Sequence, residues 1–182
     1  MPDRVRLGDH GQLTAALTDR LHDRPEWLAR VTQLAGDPPP RGLHLAVFRE
    51  PFLDLILCGR KTVESRFSRN HVAPHGRLVE GDLLLLKRQS GPVAGIAEVG
   101  AANYYRLDPD TFTQIRATFA SRLCAEAREF WEARSAARHA TLAHIRQAAV
   151  VDPFWVDKRD RRAWVVLQSS AATQPHSVEQ AA

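Results

Sequence analysis

Gly59-Arg60-Lys61-Thr62-Val63-Glu64-Ser65-Arg66 sets a lysine, a glutamate and an arginine within six positions. Its flanks mark a junction between a helix and a strand. Upstream, Glu50-Pro51-Phe52-Leu53-Asp54-Leu55-Ile56-Leu57-Cys58 has a proline at a first helical position and apolar residues at helical spacing. Gly59 follows where a left-handed cap would end the helix. Downstream, Thr62 to Phe67 suits a strand. The two-residue side-chain period puts Thr62, Glu64 and Arg66 on one face, with Lys61 entering from the turn. Two cations then flank one carboxylate, which orients them and leaves their other donors for a phosphate or a polarised carbonyl. The competing reading is a solvated charge cluster on an edge strand.

Outward from this stretch the chain reads as strands and helices in mixed order. Leu43 to Phe48 is a first strand. Leu83 to Arg88, nearly all apolar, fits a strand buried in a sheet wall. Gln89-Ser90-Gly91-Pro92 is a turn, and Val93 to Val99 is the returning strand of a hairpin. Asp108-Pro109 starts a helix with a Phe112, Ile115, Phe119 and Leu123 stripe. A second helical stretch runs from about Ala125 to Ala137. Ala140 to Ile145, Val150-Val151 and Ala163 to Leu167 read as closing strands, joined through the turn Lys158-Arg159-Asp160-Arg161-Arg162. Before all of this, Leu13, Leu17 and Leu21, then Trp27 or Leu28, Val31 and Leu34, mark two short amphipathic helices separated at Pro25.

The chain therefore divides into a helical N-terminal extension (1–36), a proline-rich connector (37–42), a barrel domain (43–168) and a polar tail expected to be without order (169–182). The extension is too small to fold alone, so its apolar stripe must pack on the barrel or on a partner chain.

With 182 residues, 44% of them hydrophobic, the chain can bury one substantial core. Its formal charge of +4 and pI near 9.6 mildly favour nucleic acid or other polyanions. Cys58 and Cys124 have no metal or redox spacing and read as reduced thiols. No apolar run has the length of a membrane span, and the first residues do not resemble a signal peptide, so cytoplasmic placement is the default expectation. His71 and His75 are the most suggestive metal pair. Pro74 opposes the helix that would align them, so no metal and no cofactor is expected. Phosphate loops and nucleophile elbows are missing from the sequence.

Pro51-Phe52-x-x-Leu55-Ile56-x-x-Gly59-x-Lys61-x-x-Glu64-x-Arg66, followed by Gly81-Asp82 and the strand after it, resembles the signature of the ASCH domain. The resemblance implies an α+β fold built on a small PUA-like β-barrel flanked by helices. It also implies RNA or a nucleotide as the ligand of a cleft lined by the motif. Some relatives are hydrolases that cut RNA or deacetylate N4-acetylcytidine. Lys61 matches the catalytic lysine of the latter and Arg66 the arginine closing their motif, whereas Glu64 stands where they carry threonine. Their catalytic glutamate has only positional candidates here, Glu126, Glu129 and Glu132.

Three readings follow. In the leading one Lys61, Glu64 and Arg66 form a binding site for RNA or a modified nucleoside. Arg49, Arg69, Lys87 and Arg88 extend a basic strip, and Trp155, Lys158 and Arg159 supply a stacking surface beside cations. In the second, Lys61 and Glu64 act catalytically on water in a hydrolase. In the third, residues 1–36 dock a protein partner and the cleft is idle. The oligomeric state is open.

Overall fold

The computed structural model describes residues 4–173. Six strands form one curled sheet in the order β2-β5-β4-β3-β1-β6: β1 Leu43–Phe48, β2 Val63–Ser68, β3 Leu83–Arg88, β4 Val93–Arg106, β5 His139–Phe154 and β6 Trp164–Gln168. β1 runs parallel to β3, and every other neighbouring pair is antiparallel. The α+β fold expected from the sequence is thus present, with its barrel formed as a six-stranded sheet curled into a half-barrel. β3, third from one edge, is buried along nearly its whole length, as its unbroken leucine run requires.

Two helices precede the sheet, α1 His10–Arg20 and α2 Pro25–Thr32. Asp9 caps the first by accepting from the Gln12 N–H at 2.9 Å, and Pro25 opens the second. Leu13, Leu17, Leu21, Trp27, Val31 and Leu34 are all buried in one cluster with Leu43, Leu45, Leu83, Leu85, Val93 and Ile96 of the sheet. Their apolar stripe is used on the barrel itself. A charged tie strengthens the contact: the buried Glu98 of β4 accepts from Arg30 of α2 at 2.7 Å and from Arg41 of the connector at 3.0 Å.

On the opposite face of the sheet α3, Phe52–Leu57, buries Leu53 and Ile56 against Leu84, Leu86 and Ala97. Pro51 is its capping residue rather than its first helical one, and Gly59 takes φ +76, the left-handed turn that aims the chain into β2. A third cluster packs α4 Pro109–Phe119 and α5 Arg128–Glu132 against β2 and β5.

Three sequence expectations need correction. β4 does not stop at Val99 but continues to Arg106. Ala140 to Ile145 and Val150-Val151 belong to the single long strand β5. Register shifts beside Val99 let this pair bend without ending, and at Gly100 a Cβ would sit 3.3 Å from the Arg146 Cβ. The helix expected over Ala125 to Ala137 is reduced to α5. Cys124 at φ +52 interrupts the chain ahead of it, and the buried Trp131 turns its indole back to the Ala125 carbonyl at 2.7 Å. Of the tail, residues 174–182 lie outside the described residues, while Ser170 is buried and Ala171 N–H donates to the Pro39 carbonyl at 2.8 Å. No helix among the described residues is long and apolar enough to cross a membrane.

Candidate nucleic-acid interface

The turn after α3 and the start of β2 bring the motif together. Lys61 is 3% exposed; its Nζ donates to the Leu123 carbonyl at 2.9 Å and lies 3.3 Å from Glu64 Oε2. Arg66, two residues along the same strand face, sets its Nε 2.8 Å from Glu64 Oε1. That contact is an ion pair rather than an aligned hydrogen bond, because the Nε hydrogen does not point at the carboxylate. Both oxygens of Glu64 are therefore engaged by cations, and the pairing expected from the two-residue period is present.

Arg66 does more than pair. Its terminal nitrogens donate to the Val47 carbonyl at 3.1 Å and the Ala163 carbonyl at 3.3 Å. β2 and β6 are the two edges of the sheet, so this guanidinium clasps one edge to the other. It is held between the Phe48 and Trp164 rings at 5.2 and 5.1 Å. Trp164 is itself fixed: its indole N–H donates to His44 Nδ1 at 3.3 Å, and His44 Nε2 lies 3.1 Å from Asp82 Oδ2. Asp82 accepts in addition from the Gly42 and Val79 N–H groups. The only proton placement that satisfies both contacts of His44 puts its hydrogen on Nε2. This fully buried support went unseen in the sequence, because its members come from β1, the loop before β3, and β6.

Above these residues opens a cleft of about 740 Å³, within the range of small-molecule sites. Its lining carries eight cations, Arg49, Lys61, Arg66, Lys87, Arg134, Lys158, Arg161 and Arg162, against two carboxylates, Glu64 and Asp160. Phe52, Phe67 and Phe130 form an apolar wall, meeting edge to face at 6.2 and 6.4 Å between centroids. Trp131 backs them.

Of the residues singled out in the sequence, Lys61, Glu64, Arg66, Arg49, Lys87 and Lys158 line this cleft, and Arg69, Arg88, Trp155 and Arg159 do not. Arg88 is drawn to Glu50 and Asp54 on the α3 side. Lys87 is turned to the hairpin, donating to the carbonyls of Gly91 at 2.6 Å and Arg88 at 3.1 Å. Burial, then the charges of Lys158 and Arg4, hold its ammonium below the usual lysine value. Trp155 is exposed with the Arg4 guanidinium 5.7 Å from its ring centre. Lys158 and Arg162 both bond Asp160, which depresses that carboxyl through hydrogen bonds first from Arg162 and then from Lys158. Glu126, Glu129 and Glu132 do not line the cleft. Arg134 does, and sequence reasoning missed it; its one signal was its place a helical turn after Phe130, on whose ring it lies at 3.6 Å.

His71 and His75 meet His139 instead of forming a helical pair, with ring centroids 4.6 to 5.4 Å apart and edge-to-face planes. Among the described residues no group of three or more His, Cys, Asp or Glu is arranged to hold a metal ion.

The sequence model of the ASCH domain matches residues 47–142, more than half of the chain and the whole of the Lys61 to Arg66 motif. The protein belongs to the ASCH family. Among solved structures, ASCH from Zymomonas mobilis is similar at a TM-score of 0.56 and 14% identity, over 69% of this chain and 87% of that one. A single-site variant of the same bacterial protein gives 0.56 and 16%, over 71% and 90%. At such identities the likeness shows the fold alone. No curated protein matches this chain. The matched span of the ASCH model excludes α1, α2 and β6, so the clasp between Arg66 and Ala163, and the Trp164 under it, lie partly outside the matched region.

Proposed function

We propose that this ASCH protein binds RNA or a nucleotide in the cleft above Lys61, Glu64 and Arg66. The family is thought to bind RNA. The observation that carries the reading for this chain is the cleft's composition, eight cations and four phenylalanine rings around two carboxylates. Cations attract and position phosphates, while an aromatic wall gives a base a surface to pack on. Lys61 has one ammonium hydrogen left after Leu123 and Glu64, which suits a base carbonyl at the floor.

The same geometry favours recognition over hydrolysis at Glu64. A general base needs a carboxylate oxygen within reach of water or substrate. Here both oxygens face cations and the residue is 6% exposed. Incubation with RNA and with acylated nucleosides is expected to give no new product by mass analysis. Photocrosslinking to a short single-stranded RNA tests the binding site directly. Crosslinked peptides containing Phe52, Phe67 or Phe130 are expected, and crosslinks confined to α1, α2 or the exposed face of β4 and β5 would refute the placement.

A further inference from the structure

The cations of the cleft fall into two groups. Lys61 and Arg66 share Glu64, and Lys158 and Arg162 share Asp160. Arg49, Arg134, Arg161 and Lys87 have no carboxylate partner among the described residues; the first three are guanidiniums, and the Lys87 ammonium is turned to the Arg88 and Gly91 carbonyls. Arg49 Nε donates to the neutral Gln89 Oε1 at 3.1 Å, and Arg134 Nη1 donates to the Phe130 carbonyl at 2.7 Å. Arg134 is half-buried against the Phe130 ring. Its burial lowers the guanidinium from its ordinary value; the nearby charges of Arg49 and Arg66 add to this and Glu64 opposes it. Guanidiniums gathered in a partly dry cleft without matching carboxylates repel one another, and that repulsion is relieved when an anion arrives.

The size of the excess bears on which anion. Three unneutralised guanidiniums match a phosphate monoester, which carries about −1.5 to −2 at neutral pH, better than the single charge of an internal diester. Planar guanidinium forks suit its three free oxygens. The clasp from Arg66 to Val47 and Ala163 closes the gap between the sheet edges at the cleft floor, so a strand cannot continue through it at that level. We propose that Arg49 and Arg134, with Arg161 lining the same cleft, form a subsite for a terminal phosphate monoester, so that the ligand is a nucleotide or a phosphorylated RNA end rather than an internal stretch. This inference rests on the RNA or nucleotide reading above.

The test is fluorescence anisotropy with the full chain and four probes. These are one short single-stranded RNA with hydroxyl ends, the same RNA with a 5′-phosphate, the same with a 3′-phosphate, and the matching nucleoside monophosphates as competitors. At least tenfold tighter binding is expected for one phosphorylated end. The gain should shrink as pH is lowered through about 6, where the monoester dianion takes up one proton and becomes a monoanion. Arg49→Gln, at an exposed position, should remove most of the gain, and Arg49→Gln with Arg134→Gln nearly all of it. Monophosphates competing as well as the phosphorylated RNA identify a nucleotide ligand, and weaker competition identifies an RNA end; both support the subsite. Equal affinity for hydroxyl and phosphorylated ends overturns the subsite and leaves the RNA reading standing. Binding to none of the probes overturns both.

Discussion

Arg66 is placed to work for the fold as much as for a ligand. It pairs with Glu64, bonds two carbonyls on the far side of the curled sheet and fills the space between Phe48 and Trp164. Arg66→Ala would strip counter-charge from a nearly buried carboxylate and remove a donor from the Val47 carbonyl, while the Ala163 carbonyl keeps its bond from the Val47 N–H; the loss is about 3 to 5 kcal/mol, measurable by urea unfolding. Arg66→Lys should recover little of it, because an ammonium cannot reach two carbonyls as a planar fork does. Lys61→Met is expected to cost about 3 kcal/mol for the same reason, since it leaves Glu64 with Arg66 as its one remaining partner. The convergence of Lys61, Glu64 and Arg66 was legible in the sequence because a strand's period of two and a glycine cap are local rules. The clasp was not, because Val47 and Ala163 contribute backbone carbonyls from remote segments and no residue type signals them. The basic strip was legible in part. Arg88 is as basic as Arg49, but Glu50 and Asp54 on the neighbouring α3 claim it.

The elements that position the cleft owe their lengths to tertiary pairing. β1 and β3 were readable to the residue, because an apolar run bounded by turn residues has few other solutions. β4 was read only as far as Val99, before Gly100, and β5 was read in two pieces separated by Arg146-Gln147-Ala148-Ala149; in the sheet both run on as a continuous pair with register shifts beside Val99. The tie from β4 to α2 through Glu98 has a consequence for acid stability. Burial alone would raise this carboxyl, but hydrogen bonds and charges from Arg30 and Arg41 outweigh it and set the folded value below the unfolded one. Such a group adds stability above its unfolded pKa, near 4.5, and loses it as pH falls through the lower folded value. Glu98→Gln should therefore destabilise the protein at pH 7 by about 3 kcal/mol, and the difference from wild type should narrow below about pH 4. Thermal unfolding of the two proteins at pH 7 and pH 3.5 checks both statements.

At the scale of the whole molecule, the helices before the connector share one core with the strands beneath them. Leu17 is fully buried in it, and Leu17→Ala should cost about 2 to 5 kcal/mol by chemical denaturation. Removing residues 1–36 should expose Leu45, Leu85 and Val93 and give an aggregating or unfolded chain. That outcome would differ from the partner-docking reading, in which the barrel folds without them. The apolar spacing of these helices was plain in the sequence, but what they cover became visible only with the sheet in place. The same holds for the cleft, whose walls come from β1, α3, β2, the end of β3 and its hairpin turn, α5 with the segment after it, and the turn before β6. That this cleft is an electrostatic receptor for RNA is most directly tested by titrating the affinity for a short single-stranded RNA against salt, in wild type and in the variant Arg49→Gln with Arg161→Gln. With about three phosphate contacts on a single strand, log K is expected to fall against log salt with a slope of about −2, and the variant, which removes two of those contacts, should be shallower by about 1.4. A slope near zero, or one that the two substitutions leave unchanged, would contradict the account.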